Sequence, residues 1–224
     1  MTGLRPVGPG IWAADGPVVI GAMGFVFPTR MALLRGPGGG LWLWPPVPPE
    51  TGLVAAIRAL GPVEALLSPS SLHHMALSDW RALCPGARLA APPGLAPRRP
   101  DLRIDIPLAE GSDAVPGCDI RRVRSRLADE IVLHHRASRT VLVADLIQQI
   151  PPDTYRGWRA LVARADRMTA PAPRMPRKFA LAVPREARRA LRGTIVDWAP
   201  RRLLLAHGPV HETGAAALLD RALR

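Results

Sequence analysis

The stretch that decides the fold is Glu64–His74, with the sequence EALLSPSSLHH. Its apolar half is typical of a buried strand, and two adjacent histidines follow a few residues later. Two further strand-like runs each end in a potential metal ligand: Thr140–Ala144 leads into Asp145, and Arg202–Ala206 leads into His207. Mixed α/β proteins assemble their sites from the loops that follow strand ends. The sequence therefore predicts that these three strand ends meet at one site.

The predicted metal ligands at this site are His73, His74, Asp145 and His207. Imidazole and carboxylate groups are usual ligands of zinc and also suit iron and manganese. We therefore expect one divalent metal, with zinc favoured and iron or manganese as alternatives, while a metal-free site is the remaining option. A catalytic metal keeps a position open for water and lowers the pKa of that water. The expected chemistry is metal-assisted hydrolysis, and no side chain beyond the ligands is identified as catalytic.

Each ligand also has a purely structural explanation. The histidine pair at 73–74 could be a cap or a packed polar pair. A buried carboxylate such as Asp145 could be the partner of an arginine. His207 could belong only to a turn, although the glycine at position 208 would also let the backbone approach a ligand closely. For each of these residues, the sequence alone is compatible with both the ligand role and the structural role.

Two further residues are predicted to support the ligands without binding the metal. His134 and His135 lie in a predicted hairpin, where side chains alternate between faces and only one of the two can point inward. We expect His135 to take that inward position near the site. Ser71, in the loop before the histidine pair, is the second expected supporting residue.

Length and composition favour one domain over residues 1–224. The chain is 48% hydrophobic and only 4% aromatic, so its core consists mainly of aliphatic side chains. It lacks an apolar run long enough to span a membrane, and its N-terminus lacks the pattern of a signal peptide. Cys84 and Cys118 are far apart and are expected to be ordinary thiols in a reducing compartment. We therefore expect a cytoplasmic protein with no membrane partner.

The formal net charge of +12 is the feature that would suggest a nucleic-acid partner. However, Lys178 is the sole lysine among 30 basic residues, and so many arginines beside so much alanine, proline and glycine indicate a GC-rich coding bias. The basic stretch 156–192 lacks the aromatic ladder that stacks bases. Solvated surface is the favoured interpretation, and nucleic acid is not the expected partner. Arginines in the loops near 92–101 and 169–180 favour a small anionic substrate instead.

The order of predicted elements defines the fold class. Strands separated by proline and glycine are expected between residues 10 and 44, with turns at Asp15–Pro17 and Gly36–Gly40. Later strands are expected at 64–67, 88–91, 103–106, 119–123, 130–135, 139–145 and 202–206. Helices are expected at 50–60, 74–83, 154–166, 184–191 and 215–223, with Trp158, Leu161 and Val162 buried. This pattern predicts an α/β layer fold, an αββα sandwich.

Several segments together resemble the metallo-β-lactamase fold superfamily, and within it a branch of unknown function. The resemblance spans nearly the whole chain and rests on the order and spacing of residues 10–12, 41–46, 67–74, 135–140, 143–147 and 205–208. It implies a four-layer αββα sandwich, with two mixed sheets flanked by helices. It also implies metal-dependent hydrolysis as an expected activity.

The hallmark of that superfamily is a His-x-His-x-Asp-His turn after a strand, and this chain departs from it. Aligning the turn places Pro69 and Ser71 where the first two histidines stand. His73 falls at the aspartate position and His74 at the last histidine. The resemblance therefore implies that the first of the superfamily's two metal sites has lost most of its ligands.

The other matched positions leave one metal site in place. Asp145 matches the bridging carboxylate and His207 matches the C-terminal histidine, whereas the remaining histidine would fall near Arg124 and Ser125 and is missing. The early Asp-x-Gly turn of the superfamily has no counterpart in Trp44–Pro46. The resemblance thus implies a site for a single metal, or a vestigial one.

Three functional hypotheses follow. The first is a hydrolase with at most one metal, acting on an ester, thioester or phosphoester. The second is a catalytically degenerate protein of the same fold, which binds a small molecule or acts as a regulatory protein. The third is a basic nucleic-acid-binding protein, which a steep salt dependence of binding would identify.

Overall fold

The first β-sheet contains seven strands in chain order. The structure is a computed structural model that describes residues 3–224. The first four strands run antiparallel, and the fourth to the seventh run parallel. The strands are β1 (Arg5–Gly8), β2 (Ile11–Ile20), β3 (Val26–Arg35), β4 (Leu41–Trp44), β5 (Val63–Leu67), β6 (Arg88–Ala91) and β7 (Ile106–Pro107).

The second sheet contains five strands, which are β8 (Cys118–Val123), β9 (Glu130–His135), β10 (Thr140–Val143), β11 (Arg202–Leu205) and β12 (Val210–His211). Their order across the sheet is β12-β11-β10-β9-β8, and only β10 and β11 are parallel. The register of this pair places Val143 beside Leu205. The residues that follow β10 and β11 therefore leave the sheet side by side at one edge.

Six helices flank the two sheets. They are α1 (Thr51–Leu60), α2 (Leu77–Leu83), α3 (Gly157–Ala165), α4 (Arg177–Ala182), α5 (Arg185–Trp198) and α6 (Ala215–Ala222). Leu53 and Ile57 of α1 and Trp80 of α2 pack against the outer face of the first sheet. Leu191 of α5 and Leu219 of α6 pack against the outer face of the second sheet. No helix within residues 3–224 is both long and apolar enough to cross a membrane.

The central core lies between the two sheets. Side chains alternate along each strand, so Leu133 of β9 joins this core while its neighbour Val132 faces the outer helices. Trp42 and Trp44 of β4 are fully buried in the central core. Two sheets with helices on both outer sides form the four-layer αββα sandwich that the element order predicts.

The structure corrects two local expectations. Asp15–Pro17 is not a turn, because β2 continues through it with a register shift between Gly16 and Val19. Trp158, Leu161 and Val162 of α3 are not buried, since 46%, 66% and 44% of their surfaces are exposed. Helical spacing identified the apolar face of α3, but the neighbouring elements leave that face uncovered.

Candidate metal centre

Three of the four predicted ligands meet at one edge of the sandwich. His73 lies in the loop after β5, while Asp145 and His207 each lie two residues beyond the paired strands β10 and β11. His207 Nε2 lies 3.3 Å from His73 Nε2 and 3.4 Å from Asp145 Oδ1. His73 Nδ1 lies 3.3 Å from Asp145 Oδ2. Within residues 3–224 these form the only group of three or more His, Cys, Asp or Glu side chains with the spacing of metal ligands.

Backbone contacts fix the direction of the imidazole of His207. Its Nδ1 donates a hydrogen bond of 2.7 Å to the carbonyl oxygen of Pro28, at the site end of β3. This bond leaves the Nε2 lone pair of the neutral ring directed at the cluster. Gly208 has a packing role, because a Cβ there would lie 3.1 Å from the backbone oxygen of Gln149.

Serine hydroxyls hold the loop that carries His73. Ser68 Oγ lies 2.7 Å from the carbonyl oxygens of both Ser70 and His73. Ser70 Oγ lies 3.3 Å from His73 Nδ1 and accepts a hydrogen bond from the N–H of Leu72. The loop is thereby bent so that the His73 ring stacks on the His207 ring, with centroids 5.3 Å apart.

The spacing of the donor atoms fits a tetrahedral metal. With zinc–ligand bonds of about 2.0–2.1 Å, tetrahedral geometry separates the ligand atoms by about 3.3–3.4 Å. The two measured separations from His207 Nε2 match this value. Asp145 Oδ2 is buried and accepts no hydrogen bond from the described residues, which is costly for a carboxylate oxygen unless a cation is near. Two nitrogens and one carboxylate would leave a fourth coordination position open.

The protonation state of the cluster also suits a cation. Burial alone would raise the pKa of Asp145, but the charges of His73 and His207, with a smaller contribution from Lys178, outweigh it and lower that pKa to about 2. Burial lowers the pKa of His73 to about 4 against the attraction of Asp145. At neutral pH the cluster therefore contains a carboxylate and, at His73, an uncharged imidazole, which are the forms that bind metals.

Glu130 supports the cluster, and the sequence analysis missed it. The antiparallel register of β9 and β10 pairs His135 with Thr140, so Glu130 falls opposite Asp145. The buried carboxylate of Glu130 accepts hydrogen bonds from the N–H groups of Ala144, Asp145 and Leu146 at 2.8–2.9 Å. Burial and the charge of Asp145 raise the pKa of Glu130, and the three N–H donors oppose that rise. The register of the predicted hairpin was the sequence signal that could have placed Glu130 beside Asp145.

The fourth predicted ligand, His74, lies outside the cluster. Its ring turns toward Arg99, whose Nη1 donates to the His74 carbonyl oxygen at 3.0 Å and lies 3.4 Å from His74 Nδ1. Partial burial lowers the pKa of His74, and the charges of Arg99 and Arg98 lower it further. Adjacent side chains in this loop diverge, so His73 reaches the cluster and His74 does not.

The two expected supporting residues also have other roles. His135 lies at the far end of β9, where its Nδ1 is 2.7 Å from Ser138 Oγ and Gly10 is a close neighbour. The hydroxyl beside His73 is that of Ser70 rather than Ser71. In each case the strand direction or the loop bend, which the residue pattern does not encode, decides which side chain reaches the site.

The two neighbouring histidines of β9 are both buried, on opposite faces of the sheet. His134 faces the outer helices, where its Nδ1 lies 2.9 Å from Asp119 Oδ2 and its ring stacks on Trp198. His135 faces the central core and forms a hydrogen-bonded group with Ser138, whose Oγ lies 2.7 Å from Thr140 Oγ1. The expected alternation is present, but burial on both faces makes each histidine part of a core.

Acid is expected to destabilise the protein partly through His135. Burial lowers the pKa of His135 from 6.5 to about 4, so between these values the unfolded chain takes up the proton first and stability falls as the pH drops. In His135→Gln, the loss of unfolding free energy between pH 7 and pH 4 should be smaller by about 2 kcal/mol. Urea titrations at several pH values measure this, and an unchanged slope would contradict it.

The cluster opens into a mostly apolar cleft of about 610 Å³, which we call the first cleft. Its walls come from the β2–β3 hairpin, the loop after β4, the loop with the histidine pair, and α4. Exposed apolar side chains at its mouth are Ile20, Leu72, Met75 and Leu127. Its charged wall residues are Arg30, Arg98, Lys178 and Asp145. A cleft of this size and composition is typical of a small-molecule site.

No protein-family model and no curated protein matches this sequence. Solved structures nevertheless match nearly all of it. The metallo-β-lactamase FIM-1 from Pseudomonas aeruginosa, in its mono-zinc form, is 13% identical with a TM-score of 0.62, covering 99% of this chain and 96% of that one. A metallo-β-lactamase from Pontibacter korlensis is 14% identical with a TM-score of 0.64, covering 100% and 97%.

A third structure extends the likeness beyond the β-lactamases. It is a fragment of the putative diflavin flavoprotein A 5 from Nostoc sp. PCC 7120, which is 12% identical with a TM-score of 0.66, covering 98% of this chain and 93% of that one. The two mixed sheets and the flanking helices agree with these likenesses. The chain therefore has the metallo-β-lactamase fold, in a form whose sequence has diverged far from the solved examples.

Proposed function

We propose that this protein is a metal-dependent hydrolase with one metal site, whose ligands are His73, Asp145 and His207. The observation that carries the proposal is that His73 Nε2 and Asp145 Oδ1 lie 3.3 Å and 3.4 Å from His207 Nε2, close to the edge of a zinc tetrahedron. Three protein ligands with one open position are the usual arrangement of a catalytic zinc. A divalent metal held there would act as a Lewis acid and make water a nucleophile near neutral pH.

The residues around the cluster support a single metal rather than two. The positions of the first two hallmark histidines are occupied by Pro69 and Ser71, neither of which contributes to the cluster. The third missing histidine would lie near Arg124 and Ser125, where the Ser125 N–H donates to Asp129 Oδ1 at 3.0 Å. No second group of ligands lies within residues 3–224.

The chain itself contributes orientation and a dry binding surface. Pro28 orients His207, and Glu130 fixes the backbone on which Asp145 stands. The apolar walls of the first cleft would exclude water around a bound substrate, which strengthens electrostatic interactions there. Arg98 and Lys178 favour an anionic substrate. The free thiols of Cys84 and Cys118 support a reducing, cytoplasmic setting.

The test is metal content together with activity. The untagged protein, equilibrated with zinc, iron or manganese and passed over a desalting column, should retain about one equivalent of one of these metals. It should hydrolyse members of a panel of carboxylic esters, thioesters and phosphoesters, and a strong chelator should abolish that activity. Retained metal without any hydrolysis would reject the hydrolase assignment, and absence of metal would reject the metal site.

A second candidate function is metal-free binding of a small molecule in the first cleft. The observation that favours it is that the cluster residues also contact one another directly, with His73 Nδ1 and His207 Nε2 both within 3.4 Å of an Asp145 oxygen. Proton sharing among these groups could satisfy them without a cation. Ligand binding by protein that retains no metal would support this candidate.

A further inference from the structure

A second cleft adjoins the first. It has a volume of about 520 Å³ and lies between the β2–β3 hairpin, α3 and the start of α4. Met23 and Phe25 form one wall, and Val162 of α3 and Met168 form the other. The two clefts share Ala22, Phe27 and Lys178. We call the two adjoining clefts together the channel, which has the metal cluster in its first cleft and Val162 of α3 in its second.

Exposed apolar surface is concentrated along this channel. Of the twelve large apolar side chains exposed within residues 3–224, six line one of the two clefts. Met23 is 72% exposed and Val162 is 44% exposed, both in the second cleft. Contiguous apolar surface of this kind costs solubility and commonly marks a binding site. Two adjoining clefts of about 610 and 520 Å³ suit a long apolar chain that occupies both better than a compact ring.

Lys178 stands at the junction of the two clefts. Its ammonium group lies 5.7 Å from the ring centroids of Phe27 and Phe179, and 3.7 Å from Asp166 Oδ2. The Asp166 carboxylate also accepts a hydrogen bond from the backbone N–H of Lys178. The carboxylate therefore interacts with both the ammonium group of Lys178 and the backbone at the start of α4. The Lys178 side chain remains 43% exposed. A partly exposed cation with an aromatic floor and a counter-ion at 3.7 Å can pair with a further anion.

We propose that the two clefts together bind a single-chain amphiphile with one anionic group. The ammonium group of Lys178 pairs with the anion, and the apolar chain lies in the second cleft between Met23 and Val162. This deepens the proposed function by naming its substrate class, and its catalytic meaning rests on that function. The binding step uses no metal ligand, so it can be tested separately.

The test is calorimetric titration of the full chain with sodium carboxylates of six to twelve carbons, below their micelle concentrations. Each added methylene should tighten binding about threefold to fourfold until the channel is filled. The alcohol of twelve carbons should bind at least tenfold more weakly than dodecanoate. Binding that does not depend on chain length, or equal binding of the alcohol, would overturn the proposal.

Three variants and one matched control locate the bound molecule. Lys178→Gln and Val162→Asp should each weaken dodecanoate binding at least tenfold, and Lys178→Arg should retain most of it. Leu181→Asp makes the same change as Val162→Asp at an 82% exposed residue that lines neither cleft, and it should bind within twofold of wild type. Equal losses in Val162→Asp and Leu181→Asp would reject the channel, because they would indicate general adsorption to the surface.

Running every titration with both chelator-treated and zinc-loaded protein separates this inference from the proposed function. Dodecanoate binding by protein that retains no zinc after the loading step would leave the channel standing and reject the metal site. One equivalent of bound zinc without chain-length-dependent binding of the carboxylates would support the metal site and reject the channel.

Discussion

His73→Ala is expected to abolish stoichiometric metal binding, whereas His74→Ala one residue away should bind metal like the wild type. His73 Nε2 lies 3.3 Å from His207 Nε2 within the cluster, while the His74 ring lies against Arg99. Removing one of three protein ligands should weaken zinc binding by at least about 100-fold. The two variants delete the same side chain from neighbouring positions, so they differ only in what the ring reaches.

Competition with a chromogenic chelator measures the two affinities, and circular dichroism checks that both variants remain folded. Asp145→Asn should behave like His73→Ala, since the amide is a weaker ligand than the carboxylate. Equal affinities in His73→Ala and His74→Ala would remove His73 from the ligand set. A loss confined to His74→Ala would show that the loop rearranges to present the other histidine.

Glu130→Ala is expected to lower the free energy of unfolding by about 4 kcal/mol, the largest effect of any single substitution proposed on stability. The substitution leaves three buried N–H groups, those of Ala144, Asp145 and Leu146, without their acceptors. It also opens a cavity beside Ser70, whose backbone pairs with residue 130. Relief of the burial cost of the carboxylate offsets only part of this loss.

Urea denaturation in the presence of chelator measures this effect without any contribution from bound metal. Glu130→Gln should lose less, because an amide oxygen in the Oε2 position still accepts from the N–H groups of Asp145 and Leu146, while the amide nitrogen cannot accept from Ala144. The control is Glu110→Ala, which removes an exposed partner of Arg121 and should cost less than about 1 kcal/mol. A similar small loss at both glutamates would show that water replaces the Glu130 oxygens.

The fold was accessible from the sequence because it rests on local apolar patterns. The runs at β5, β9, β10 and β11 are short, aliphatic and bounded by polar or turn residues, and each forms a strand where the pattern predicts one. The Gly36–Gly40 turn likewise joins β3 and β4 as a hairpin. The apolar pattern was less informative about burial, which depends on neighbouring elements: the apolar face of α3 is exposed.

The candidate site was accessible only in part. Asp145 and His207 could be paired from sequence, since each follows a strand by two residues and parallel neighbours end at the same edge. The choice between His73 and His74 could not be made, because it depends on the loop bend set by Ser68 and on the contact with Arg99. The Arg99 contact joins residues 25 positions apart, and the pattern HH is the same for either orientation of the loop.

The sequence by itself determined the layers of the sandwich and the edge at which the ligands converge, because strand period, strand ends and chain order are local properties. Only the tertiary structure decided which donor atoms lie at metal-ligand distances and that Glu130 rather than His135 supports them. It also decided that Lys178 lines both clefts. These features depend on the register and packing of segments far apart in the chain, which residue periodicity does not encode.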